Sequence, residues 1–160
     1  QEVAKKGIGL GMKILAHDKF IKEQNITLNF FNGEKKTFTI ETSELNEVLK
    51  NSDFITLHVP KIDNKALIGA EEIGMMKTGA GIINTSRGGN IDETALMFAL
   101  DKEKLSYAGL DVFENEPTPS IHLLMHNAIS MSPHIGAATL EAQDRIGSEL
   151  AEQIISLLKK

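Results

Sequence analysis

Apolar residues along this chain follow two alternating patterns. Short apolar runs at Lys13–His17 (KILAH), Phe54–Val59 (FITLHV), Ala80–Ile83 (AGII), Tyr107–Val112 (YAGLDV) and Ala128–Met131 (AISM) are bounded by glycine, proline or polar residues. Runs of that length and setting predict strands buried in a parallel sheet. Between them lie segments with helical spacing. These are Gln1–Leu10, a segment opened by Ser43 and carrying Leu45 and Leu49, Ala66–Met76, Asp92–Lys102, and a long stretch from Thr139 to the chain end. Ser43 is a candidate helix cap, and Gly7 and Gly9 weaken the first helix. In the fourth, Asp92 and Glu93 favour the positive end while Leu96, Ala99 and Leu100 face inward. In the last, Leu140, Ile146, Leu150, Ile154 and Leu157 form one apolar stripe. One segment breaks the rhythm: Ile26–Phe31 and Glu34–Ile40 flank Asn32-Gly33, a strong signal for a β-hairpin. Strands alternating with helices predict a doubly wound α/β sheet.

Composition narrows the partners. The 160 residues suffice for one domain with a core, and 41% hydrophobic with 24% charged residues is the balance of a globular chain. A net charge of −5 without a Lys/Arg cluster argues against nucleic acid. Cysteine is absent, which excludes disulfides, iron–sulfur clusters and thiolate zinc sites. No apolar run is long enough to span a bilayer and no signal peptide opens the chain, so a cytoplasmic protein is expected. Gln1 stands directly in a helical pattern, so an upstream portion is expected.

Ligands of such sheets lie beyond the carboxyl ends of the strands. Arg87 falls there, just before Gly88-Gly89, with a side chain suited to gripping a carboxylate through two parallel hydrogen bonds. Asp111, Glu116 and His134 fall at or just past the next two strand ends. Their chemistry is complementary. Reduction of a ketone by hydride requires a proton donor near neutrality, which a histidine supplies. A carboxylate beside it fixes the tautomer, and an arginine polarises the carbonyl of a bound oxoacid. Asp18 ends the second run, where dinucleotide folds bind a ribose hydroxyl. His122 and His126 are spaced i, i+4 with no third ligand near, so no metal is expected. His17 and His58 read as structural, and Met75 and Met76 as core filler.

The motifs DFITLHVP (53–60), GIINTSRGG (81–89), GLDVFENEP (109–117) and SPHIGAAT (132–139), with GMKILAHD (11–18), resemble those of the D-isomer-specific 2-hydroxyacid dehydrogenases. Within that family the phosphoglycerate-oxidising members are most similar. The resemblance spans nearly the whole chain. It implies a Rossmann-like NAD-binding domain over residues 1–137 and a helix over 138–160 that returns toward a substrate domain. It implies a catalytic trio of Arg87, Glu116 and His134. It also implies an NAD site lined by Asp18, Val59, Thr85, Ser86, Arg87, Asp111, His134, Gly136 and Ala137, with Asp111 near the nicotinamide carboxamide. The implied partners are a small 2-hydroxyacid or 2-oxoacid and further copies of the chain, with no nucleic acid and no membrane.

The family's first strand and GxGxxG loop would precede Gln1, so the sheet is expected to lack them, and the 160 residues alone are expected to bind NAD weakly. Placed that way, Asp18 lies about 18 residues beyond the last glycine, near the usual spacing. The hairpin at 26–40 is longer than many family members carry. Glyoxylate or hydroxypyruvate reduction, and an NAD-sensing scaffold of the same fold family, are the alternatives to phosphoglycerate oxidation.

Overall fold

The structure, a computed structural model, describes residues 1–61 and 65–159. Its centre is a four-stranded parallel sheet in the order β3 (Phe54–Leu57), β4 (Ala80–Asn84), β5 (Leu105–Leu110), β6 (Ile129–Met131). Ile55, Ile82, Ala108 and Ile129 stand in register across all four strands, and all four are buried. Two residues toward the carboxyl ends, on the same face, the row reads Leu57, Asn84, Leu110, Met131. Asn84 is 2% exposed in that apolar company. The site begins at this polar break.

The connections carry helices α3 (Ala70–Met75), α4 (Glu93–Asp101) and α5 (Ile121–Leu124). Parallel crossovers of one hand place all three on the same face of the sheet. Leu96, Ala99 and Leu100 of α4 are buried there, with Ile73 and Leu123 from its neighbours. Met76 is buried and Met75 packs against the same core. The opposite face is open at Phe54 and Tyr107. Only β4 is covered along its length; β3 and β5 alternate buried and exposed residues, where their apolar runs predicted burial on both faces.

Residues 1–42 form a separate layer, whereas residues 45–51 pack on α3 and carry Leu49 into the core of the sheet. Helix α1 (Glu2–Gly9) packs against a two-stranded antiparallel hairpin, β1 (Glu23–Asn29) and β2 (Lys35–Glu41). The hairpin is present, but its turn differs from a two-residue Asn-Gly turn. Gly33 donates to Phe30 O, Phe30 donates to Glu34 O, and only Gly33 has positive φ, at 86°. That is a three-residue loop in which glycine alone takes the left-handed position. Lys13–His17 forms no ladder: Ala16 makes one parallel bridge, to Thr42, and nothing joins it to β3. Ser43 does not cap α2 (Leu45–Asn51). Its N–H donates to Ala16 O and its carbonyl meets His17 Nδ1, leaving Glu44 at the cap position.

Two helices also differ in extent or setting from the pattern. The segment expected as helix over 66–76 is helical only from Ala70, because Ile68 pairs with Ile91 before the chain turns. Helix α6 (Leu140–Leu158) is capped by Thr139 and carries the expected stripe, yet none of its residues is buried. Lys160 lies outside the described residues. Among the described residues no helix is long and apolar enough to cross a membrane. Ile82, fully buried at the centre of the row, should cost about 2–5 kcal/mol on replacement by alanine. Urea denaturation of Ile82→Ala measures this; a loss well under 1 kcal/mol would show that the row is not the core.

Candidate functional site

The site occupies the carboxyl ends of β4, β5 and β6 and the loops that leave them. The β4 loop is built on two buried asparagines. Asn84 Nδ2 donates to Arg87 O at 2.9 Å, while its Oδ1 accepts from the Ser86 N–H and hydroxyl. Asn90, 3% exposed, donates through Nδ2 to Val59 O and Ser86 Oγ, tying the β3 and β4 loops together. Thr85 and Arg87 are exposed on the turn so formed, and Ser86 is half-buried. Arg87 Nη1 donates to Ser86 O at 2.6 Å, which leaves most of the guanidinium's five donors to the solvent side. The sequence reading assigned no role to either asparagine. Their signal was a polar residue at the end of an apolar strand, repeated six positions on.

Gly88 is a matter of contact. A Cβ there would stand 1.8 Å from Phe113 O and 2.4 Å from its carbonyl carbon. Only a residue without a side chain lets the Arg87 turn close onto the loop that follows β5.

Asp111, 4% exposed, lies just past β5 and organises the β6 loop. Its Oδ1 accepts from the Ser132 hydroxyl at 2.6 Å and from Ile135 N at 2.9 Å; its Oδ2 accepts from Gly136 N at 2.9 Å. Burial alone would raise its pKa, but the donors from Ser132, Ile135 and Gly136, with the nearby His134 ring, outweigh that and hold it below the usual carboxylate range. The clamped residues lie on both sides of His134. That histidine has φ +55°, and its N–H donates to Ser132 O. Left-handed backbone at a non-glycine residue persists only where the surroundings fix it, and the Asp111 clamp does so here.

The ring of His134 meets Glu116 across the rim, Nδ1 to Oε2 at 2.7 Å, while Glu116 Oε1 accepts from Phe113 N at 2.9 Å. The hydrogen bond from His134, then that from Phe113 N, lowers the Glu116 pKa. The carboxylate is therefore ionised at neutrality and can only accept. It follows that Nδ1 carries a proton, so in the neutral ring Nε2 is the free acceptor, and in the charged ring a donor. The side chain of His134 is 48% exposed, so Nε2 is open to a ligand.

Asp18 is exposed, and its Oδ1 accepts from Phe20 N and Ile21 N, which lower its pKa in that order. Oδ2 has no partner among the described residues. Val59 is half-buried with its carbonyl taken by Asn90, and Gly136 and Ala137 are exposed. Three other histidines make local contacts. His17 meets Ser43 O, and His58, its pKa lowered by burial, meets Thr56. His126 faces Asp101 at 3.4 Å and accepts from Ala128 N. An open groove between α3 and α4, lined by Ile73, Ala95 and Phe98, contains none of the rim residues.

The Glu116 shift gives a test with a definite sign. A lowered carboxylate pKa means that its contacts are present above the ordinary value of about 4.3 and are lost as pH falls through the lowered one. In His134→Ala the Glu116 midpoint, followed by carboxyl ¹³C NMR, should rise toward that ordinary value. An unchanged midpoint would show that the pair does not persist in solution.

Comparison with known proteins agrees with this architecture. Residues 1–136 match the family described as "D-isomer specific 2-hydroxyacid dehydrogenase, NAD binding domain". The chain is 43% identical to the hydroxypyruvate reductase of Thermotoga maritima, over 99% of this chain and 49% of that protein. It is 40% identical to the D-3-phosphoglycerate dehydrogenase of Methanocaldococcus jannaschii, over 99% of this chain and 29% of that protein. The crystal structure of a glyoxylate reductase from Paecilomyes thermophila superposes with a TM-score of 0.78 at 31% identity, covering 99% of this chain and 46% of that one. The chain thus spans half or less of the length of these relatives. The four-stranded sheet, its rim and the match over residues 1–136 place the chain in the D-isomer-specific 2-hydroxyacid dehydrogenase family, as its NAD-binding domain.

Proposed function

We propose that the intact protein is an NAD-dependent D-2-hydroxyacid dehydrogenase. The observation that carries this reading is the Glu116–His134 pair at the strand ends, with His134 Nε2 open to a ligand. In the reductive direction His134 Nε2 donates its proton to the oxygen of the 2-oxo group, and in the oxidative direction it takes the hydroxyl proton back. Glu116 holds the ring in the tautomer that keeps Nε2 available. Arg87 receives the substrate carboxylate and polarises the adjacent carbonyl. NAD, when bound, would supply or accept the hydride at the 2-carbon. Asp18, through its free Oδ2, would hold the ribose, and Val59, Thr85, Ser86, Gly136 and Ala137 would line the site. Asp111 would serve the carboxamide end through the loop that it anchors.

Among 2-hydroxyacids the proposed substrate is 3-phosphoglycerate, supported by the similarity to phosphoglycerate dehydrogenases. Hydroxypyruvate or glyoxylate reduction is the second reading, favoured by the 43% identity to a hydroxypyruvate reductase. A cytoplasmic location and assembly into a homo-oligomer belong to the same proposal and rest on family resemblance. Turnover of the intact protein with NADH and 3-phosphohydroxypyruvate, hydroxypyruvate or glyoxylate decides among these. The highest kcat/KM is expected for 3-phosphohydroxypyruvate, whereas turnover of none would leave a scaffold that binds the cofactor without chemistry. His134→Ala should lower kcat by about 10²–10⁴-fold, the usual worth of a positioned acid–base group; near-normal turnover would remove it from that role.

The cofactor prediction follows from Asp18. A carboxylate accepts from ribose hydroxyls and repels a 2′-phosphate, so kcat/KM should favour NADH over NADPH. A preference for NADPH would mean that Asp18, with Lys19 beside it, does not face the ribose.

A further inference from the structure

Two acidic residues outside the catalytic trio link its parts. Glu93 is the first residue of α4, six positions beyond Arg87, and Glu114 lies two before Glu116. Each carboxylate accepts the other residue's backbone N–H: Glu93 N donates to Glu114 Oε1 at 3.0 Å, and Glu114 N donates to Glu93 Oε1 at 2.7 Å. Glu114 therefore satisfies the first orphan N–H of α4 from another loop, while Asp92 caps the same helix at Ala95 N. Burial, and then the facing charge of Glu114, raise the Glu93 pKa, so the two carboxylates are held together against their repulsion.

The reciprocal pair spans the seam where Gly88 closes onto the Phe113 carbonyl and where Phe113 N holds Glu116 Oε1. From Arg87 to His134 the rim is then one chain of contacts. The Arg87 turn packs on Phe113, the Glu93–Glu114 pair locks that seam, and Glu116 reaches from it to the ring.

We propose that Glu93 and Glu114 are positioning residues, a reciprocal clamp that holds the Glu116–His134 pair in register with Arg87. This role rests on the dehydrogenase reading of the same rim. Neither carboxylate touches substrate; both act through the loops they join. Misplacing a reacting pair by about 1 Å can cost a hundredfold in rate.

The test uses the intact protein with Glu93→Ala, Glu114→Ala and the conservative Glu114→Gln, whose amide oxygen can still accept the Glu93 N–H. Both alanine variants should lower kcat by about ten- to a hundredfold, with the KM for NADH held within about twofold. The glutamine variant should recover most of the loss. The double alanine variant should be no worse than the poorer single one, because either change opens the same clamp. A second readout is independent of turnover: in Glu114→Ala the Glu116 midpoint, followed by ¹³C NMR, should rise toward the ordinary carboxylate value. Unchanged kcat in either alanine variant, or an unmoved Glu116 midpoint in Glu114→Ala, overturns the clamp. Absence of turnover in the unsubstituted protein overturns the dehydrogenase reading instead, and the Glu116 midpoint then decides the clamp alone.

Discussion

The carboxylate of Asp111 is the constraint on which the rest of the rim depends. A charge this deeply buried is costly unless donors surround it. Its three donors come from the loop after β6, at Ser132, Ile135 and Gly136. That loop therefore has one place to go, and His134, between the clamped residues, is forced into left-handed backbone facing Glu116. Asp111 was expected as a cofactor contact. Its observed partners make it an anchor of the loop after β6.

The β4 side of the rim follows the same logic with uncharged groups. Asn84 stands in a row that is otherwise leucine and methionine, and its amide is satisfied by the turn that it shapes. Buried polar groups with all partners met specify a single arrangement, whereas an apolar residue there would leave Ser86 and Arg87 O to find partners elsewhere. Rigidity of the Arg87 turn is thus a by-product of polar satisfaction. The tip of Arg87 stays exposed because nothing on the rim other than its own loop competes for it among the described residues.

Elsewhere the fold is less constrained. The face of the sheet that bears Phe54 and Tyr107 is open, and α6 projects an apolar stripe with no residue buried. The hairpin β1–β2 sits beside α1 and pairs with no strand of the sheet, so residues 1–42 form the looser layer, while Leu49 of α2 reaches the core. The adenosine end of the proposed cofactor site lies on this looser layer, whereas the acid–base end lies on the packed one.

The sequence by itself determined the alternation of strands and helices, the inward face of α4, the hairpin, and the candidacy of Arg87, Glu116 and His134. Each of these is a local property: a period, a turn signal, or a side chain's chemistry at a strand end. The hydrogen-bond pattern of the hairpin turn, the loss of Lys13–His17 as a strand and the displacement of Ser43 from its cap were decided by which backbone groups found partners in space. Asn84, Asn90 and the Glu93–Glu114 pair were illegible for the same reason. Their roles depend on contacts between loops as far apart as 31 positions in the chain. Hydrophobic periodicity carries no record of such contacts; only the closing of β4 against β5 at Gly88 brings them within reach.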